Sequence, residues 1–400
     1  MKVSGAGGQA DLPGAAILLD ERRALRYMIP RMEESIRKGA KWLKSQFAPN
    51  GPIMKERDLS FCHKVVWGLY EAGEIDSARK ILDWIAENAY RGPARYYFPE
   101  EPPFNKELQL LYRFLTFGKI AERLNHPAFC SEETREEVLT YQHSCGGVWG
   151  NKDKSEYMES ITPLVTSFFT EWALAAGLVE PAERSADFLA MLVEKNQPYM
   201  STRPGRFYFN YDPWEERLIT EPKPGEEINC FVDTLKPKQQ FYQIGTSMAA
   251  LADMYATTHK KRHLEAALRL AEFEARLNPR GLRWPSYCKI GWGAAHLYSV
   301  TAQPEHRISA ANVSEITFIS SQLESGGWAD FYYPLRDHGA WEQVEYDGRA
   351  APGKIQDDGS WARLAGHEIA GEFMGEMGRT LHVFEEALDK LEKRLRSIGL

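Results

Sequence analysis

"SSQLESGGWADF" occupies Ser320–Phe331, and "TYQHSCGGVWGN" occupies Thr140–Asn151. In both, three residues separate a glutamine from a Gly-Gly pair, and a tryptophan follows, Trp328 or Trp149. A turn written twice points to an internal repeat. The surrounding segments share one organisation. "VVWGLYEAGEIDSARKILDWIAE", "FFTEWALAAGLVEPAERSADFLAMLVE" and "MAALADMYATTHKKRHLEAALRLAEFE" each read as the end of an apolar helix, a Gly or Thr stop, a short link, and a helix with one charged face. The charged-face helices run into Gly-containing turns: Gly51 after Gln46, Gly146 after Gln142, Gly281 after Asn278 and Gly326 after Gln322.

Working outward, six segments are apolar nearly all round: Arg57–Gly73, Asn105–Ala121, Glu156–Gly177, Lys238–Thr258, Ser286–Thr301 and Trp361–Met377. Between and beside them lie helices with one charged face: Pro30–Gln46, Asp76–Ala89, Ser131–His143, Pro181–Asn196, Arg262–Leu277, Glu305–Leu323 and Arg379–Ser397. The first kind belongs inside a protein and the second on its surface. Inner and outer helices that alternate strictly predict an all-α (α/α)6 toroid, with a central cavity lined by inner helices. The turn that opens this reading is the corner from the outer layer back to the inner one. Residues 30–400 form this single domain, and residues 1–29 are expected to be an N-terminal extension. Inserts at 91–105, 197–237 and 324–360 are expected to be lids over one mouth, because long loops rich in aromatics are seldom idle. "RFYFNY" within the second insert alternates as a strand does. All three inserts lead from an outer helix to an inner one, so they flank the free N–H groups of the inner helix starts.

Gln322-Leu323-Glu324-Ser325-Gly326-Gly327-Trp328 fits the QxxxGxW turn of squalene and oxidosqualene cyclases, and Gln142–Trp149 fits with one extra residue. The chain thereby resembles the α/α-toroid superfamily of terpenoid cyclases and protein prenyltransferase β-subunits. The resemblance implies architecture and carries over no catalytic residue. The DxDD acid of the squalene-hopene type is missing. Asp357-Asp358-Gly359-Ser360-Trp361 lacks the third Asp of DDxxD, and Asp233 follows Cys230 where a zinc-binding prenyltransferase has Asp before Cys.

Composition excludes several classes. The 400 residues are 43% hydrophobic and 12% aromatic with a net charge of −7, so no basic footprint favours nucleic acid. No apolar run has the length of a membrane span. Ala15–Leu19 is too short for the core of a signal peptide. Five scattered cysteines without CxxC spacing (Cys62, Cys130, Cys145, Cys230, Cys288) suggest reduced thiols and a cytoplasmic protein. The outer helices carry charge uniformly, with no patch from which an oligomeric state can be read.

Aligning the inner helices on their expected stops (Gly73, Gly177, Thr257, Thr301, Gly378) places Cys62-His63, Thr166-Ser167, Thr246-Ser247 and His367-Glu368 at one level. Thr and Ser bond readily to the preceding turn; His367 and Glu368 are harder to absorb. Nearer the lids come Asp58, Glu159, Gln240, Tyr242, Gln243 and Lys289, and Asp358 precedes the last inner helix. Asp58 and Asp358 are also plausible helix caps, and Glu159 a helix-start charge. Burial of Lys289 is expected to make it a usable base. His63, Gln240, Tyr242, Trp292, Trp328, Tyr332 and Trp341 are the candidate substrate contacts. The first reading is an enzyme acting on a hydrophobic or aromatic small molecule. It performs cyclisation, isomerisation or elimination by acid/base chemistry from His367, Glu368, Asp58, Glu159, Lys289 or Asp358, without metal or cofactor, as in specialised biosynthesis. The alternatives are a carbohydrate-active (α/α)6 epimerase, hydrolase or lyase, and a non-catalytic binding protein.

Overall fold

The computed structural model describes residues 12–47, 59, 62–99, 111–151, 160–222, 227–328, 354–355, 361–362 and 366–400. Among these residues there are twelve α-helices. The inner set is α2 (His63–Glu71), α4 (Leu111–Leu124), α6 (Pro163–Ala175), α8 (Tyr242–Thr258), α10 (Cys288–Thr301) and α12 (His367–Ser397). The outer set is α1 (Leu12–Ser45), α3 (Ile75–Ala89), α5 (Glu132–Leu139), α7 (Val179–Met200), α9 (Lys261–Glu274) and α11 (Pro304–Val313). Each inner helix packs on the next, and α12 closes onto α2, so the ring is complete. The protein is an (α/α)6 toroid.

Local chemistry accounts for the inner elements. In α6, Pro163 pre-sets the first turn and Val165–Ala173 are all buried. Gly177 then adopts a left-handed φ of 74°, within a degree of the equivalent Gly73 at 75°, and Leu178 N–H donates to Ala173 O at 2.8 Å. The stops expected at Thr257 and Thr301 fall instead at His259 and Ala302, which take the left-handed conformation themselves.

The two chain ends depart from expectation. Gly378 is no stop: α12 runs through it to Ser397, and a Cβ there would lie 2.6 Å from Glu71 Cβ. Glycine is required at that position by the close approach of α2. The expected sixth hairpin is therefore one long helix. Its outer partner is α1, which starts at Leu12 and carries Pro30 in its interior, so part of the expected extension belongs to the fold. Leu25, Met28, Ile29 and Met32 bury one face of that segment, and Arg26 pairs with Glu392 at 2.6 Å.

Among the described residues, the inserts and their edges contain short antiparallel pairs. β1 (Tyr90–Gly92) pairs with β2 (Arg95–Tyr96); β3 (Arg206–Tyr208), the expected strand, pairs with β6 (Phe231–Asp233). β4 (Tyr211–Asp212) pairs with β5 (Arg217–Leu218), and β7 (Lys354–Ile355) with β8 (Trp361–Ala362). Trp361, expected to open the last inner helix, is thus in a strand. Gln197–Met200 extend α7 where a lid was expected to begin.

The repeated turn is repeated in atomic detail. Gln322 Nε2 donates to Gly326 O and to Ser35 O on α1, both at 2.8 Å, while its Oε1 accepts from Ser35 Oγ. Gln142 Nε2 points to Gly146 O, and to Pro181 O and Ser185 Oγ on α7. Each glutamine stitches its own corner to the next outer helix. Gly326 and Gly146 have φ of 97° and 93°, and a Cβ on either would strike that helix's backbone. Gln322→Ala removes the stitch that ties α11 to α1 and leaves buried carbonyls short of a donor. We expect a loss of about 1–3 kcal/mol in thermal or urea unfolding, with Gln322→Glu no better because a carboxylate cannot donate.

Candidate active site

Glu368, Glu372 and Glu376 recur every four residues along α12 and so share one face. Their side chains are 19%, 8% and 0% exposed in that order, which sets the direction inward from the mouth at which the inner helices start. The neighbouring inner helices each bring a lysine. Lys64 of α2 donates to Glu372 at 2.8 Å and lies 2.6 Å from Glu368. Lys289 of α10 contacts Glu372 closely and lies 3.4 Å from Glu376. Glu372 therefore bridges two ammonium groups. Gly371 lets α12 touch the Lys64 backbone, since a Cβ there would lie 2.6 Å from Lys64 C.

Electrostatics divide the labour within this cluster. Burial works against the Lys64 ammonium, but contact with Glu368 more than offsets it and holds the pKa above the usual lysine range. Burial pushes the Glu376 carboxyl up, against the pull of Lys289. The polar groups that face Glu376 are the Lys289 ammonium at 3.4 Å and the Cys288 thiol. Burial also raises the Cys288 thiol well above its ordinary value and Tyr112 to about 12. Cys288, Glu372 and Glu376 bring ligand atoms within 4.8 Å of one another. The Lys289 ammonium contacts both carboxylates of that trio.

One helical turn deeper, Trp67 on α2 and Trp292 on α10 meet Phe168 on α6. The ring centroids are 5.4 to 6.1 Å apart in edge-on pairs, and all three side chains are fully buried. Lys119 of α4 projects its Nζ to 3.8 Å from the Trp67 centroid, 4.7 Å from Phe168 and 4.9 Å from Trp292. It pairs with Glu171 at 3.1 Å, both residues nearly devoid of solvent contact. Beyond them, His296 takes the Trp292 indole proton on Nε2 and donates from Nδ1 to Asp253 at 2.7 Å.

Burial lowers the Lys119 pKa to about 8, with Glu171 opposing. In the unfolded chain a lysine titrates near 10.4. Below about pH 8 both states hold the proton; above it the unfolded state holds more, so stability should rise with pH between about 8 and 10, by roughly 1 kcal/mol per pH unit. Urea unfolding at pH 7.5 and 9.5 checks this, with the slope expected to vanish in Lys119→Met.

The expected site residues fall in different places. Glu368 and Lys289 join the mouth cluster. Tyr242 borders it, with Lys289 Nζ 5.7 Å from its ring centroid. His63 lies edge-on to Tyr112, 5.9 Å between centroids, with Nδ1 3.1 Å from Leu59 O. Gln240 bonds Asn229 and Gln243. Trp292 forms the floor. His367 turns away from the pore and stacks on Trp42 of α1 at 5.5 Å. Trp328, expected to touch substrate, is buried beside Phe373 and Gly39 and donates its indole N–H to Phe318 O. Thr166, Thr246 and Ser247 bond back to Thr162, Tyr242 and Gln243. Asp58, Glu159, Tyr332, Trp341 and Asp358 lie outside the described residues. Lys64, Glu372, Glu376, Lys119 and Glu171 were not singled out from the sequence. The four-residue spacing in "GHEIAGEFMGEMG" was the readable sign of two of them.

No protein-family model matches this chain, and no curated protein matches it in sequence. Solved structures do share its fold. A D-mannose isomerase superposes with a TM-score of 0.60 at 10% identity, over 88% of this chain and 97% of the other. The cellobiose 2-epimerase from Spirochaeta thermophila gives 0.58 at 12%, over 92% and 98%. A type II terpene cyclase from Scytonema, solved with geranylgeranyl dihydroxybenzoate, gives 0.51 at 12%, over 90% and 99%. The likeness is one of (α/α)6 architecture.

Proposed function

We propose that the protein is a carbohydrate-active enzyme of the isomerase or epimerase type, which moves a proton on a reducing sugar at the lid-side mouth. The observation that carries this reading is Glu376, a fully buried carboxyl with raised pKa, 3.4 Å from the Lys289 ammonium and one helical turn below Glu372, which holds Lys64. In an open-chain aldose, Glu376 as carboxylate takes the C2 proton. The electron pair moves to the carbonyl oxygen, and the ammonium groups stabilise the resulting enediolate. Return of the proton to C1, with the O2 hydroxyl proton passing to O1, gives the ketose; return to the other face of C2, with the carbonyl re-formed at C1, gives the epimer.

Two alternatives fare less well. Hydrolysis needs two carboxyls on opposite sides of a glycosidic bond; among the described residues, the mouth carboxyls Glu368, Glu372 and Glu376 all come from one helix. Cyclisation of a hydrophobic substrate needs an aromatic cage for the cation. Here the rings of Trp67, Phe168 and Trp292 already hold the protein's own Lys119. The similarity in fold to the mannose isomerase and the epimerase agrees with the polar mouth.

The test is deuterium exchange. Purified protein is incubated in D2O with aldoses and reducing disaccharides, and NMR follows the carbon next to the carbonyl. Deuterium at C2 together with ketose or epimer signals is the expected result. Exchange into none of them, with turnover of an isoprenoid, overturns the reading.

A further inference from the structure

We infer that Trp214 forms a sugar-stacking platform on the outer rim of the same mouth, so that the protein takes oligosaccharides as well as short sugars. Resting on the carbohydrate reading above, this inference extends the site outward.

Trp214 is 70% exposed, the highest value among the exposed large apolar residues. It stands at the tip of the β4–β5 hairpin, and the tip is built to hold it there. Asp212 Oδ1 accepts from the N–H groups of Trp214 and Glu215, at 2.9 and 3.1 Å. Lys195 Nζ donates to Glu216 O at 3.0 Å. The indole lies 6.3 Å from the Trp149 centroid at an interplanar angle of 32°, and His143 meets it edge-on at 5.4 Å. Both partners belong to the repeated corner turn. His143 Nδ1 accepts from Cys145 N–H at 3.2 Å, which leaves the ring proton on Nε2 as a donor for a hydroxyl.

The surroundings select the ligand. Glu215, Glu216 and Arg217 beside the ring are exposed and charged, so a single apolar face is framed by hydrogen-bonding groups. An apolar peptide or a lipid asks for a continuous greasy surface. A pyranose asks for one aromatic face beneath its C–H groups and polar partners around its edge. The hairpin is also tied to the starts of two inner helices. Tyr211 pairs with Ile161 ahead of α6, and Asn210, Asn229, Gln240 and Gln243 form a hydrogen-bonded chain to the start of α8.

The experiment follows oxidation of Trp214 by N-bromosuccinimide, mapped by peptide mass spectrometry, in the presence of mannohexaose, cellohexaose, mannose, glucose or cellobiose. Protection by a hexaose and not by its monosaccharide is expected. In direct titration, Trp214→Ala should weaken hexaose binding about tenfold, while Trp214→Phe retains most of it. Since the indole is exposed, its removal leaves the core intact, and unchanged thermal unfolding verifies that. If neither hexaose slows oxidation while sugars still exchange deuterium at the mouth, the platform falls and the proposed function stands. Protection of Trp214 without exchange leaves the platform and removes the isomerase. Failure of both removes both.

Discussion

Glu171→Ala should lower stability by about 3–5 kcal/mol, because it strands the Lys119 ammonium in the middle of the toroid. The pair is nearly inaccessible to water, and the cation's other neighbours are the faces of Trp67, Phe168 and Trp292. Those rings retain part of the attraction, and partial deprotonation of a lysine whose pKa is already about 8 limits the loss. The double variant Lys119→Met/Glu171→Leu removes both charges and fills the space with apolar atoms of similar volume. It should be as stable as the parent or more so. A double-mutant cycle read by urea unfolding separates the two outcomes. If Glu171→Ala costs less than 1 kcal/mol, the pair is hydrated and the aromatic floor is no barrier.

Glu376→Gln should reduce turnover of a reducing sugar by about 10²–10⁴-fold while the protein stays folded. The amide keeps the shape of the carboxylic acid and cannot take up a proton. The carboxylate form does the work, and burial raises its pKa, so activity of the parent should fall as pH drops through that raised value. This limb should disappear from the residual activity of Glu376→Gln. Glu372→Gln differs: it leaves two ammonium groups without their shared partner, so binding and stability should suffer together. Steady-state rates across pH, beside thermal unfolding of each variant, distinguish the proton carrier from the bridge.

Much of the architecture is legible in the sequence because the two helix types differ in a property that local composition records. A helix buried on all sides cannot carry many charges, and an outer helix must. The two failures at the ends share one cause. Gly378 and Pro30 look like punctuation, yet one makes room for Glu71 and the other is accommodated within α1. Local sequence does not distinguish a stop from a close contact. At the site, Lys289 and Glu368 stand out as charges in apolar, small-residue helices. Lys119 and Glu171 do not, because their meaning lies in a partner on another helix. Adjacent residues on a helix diverge by about 100°, so only one of His367 and Glu368 can face the cluster: Glu368 meets Lys64, while His367 stacks on Trp42.

The contact between α1 and α12 bears on how the protein is made. The helix that closes the ring against α1 leaves the ribosome some 350 residues after it. At synthesis rates of roughly 5–20 residues per second, the face of Leu25, Met28, Met32 and Ile36 waits on the order of 20–70 seconds for its cover. The nascent chain is an open arc with a sticky leading edge. The helix His367–Ser397 works as its clasp, and until it arrives that edge stays open to solvent.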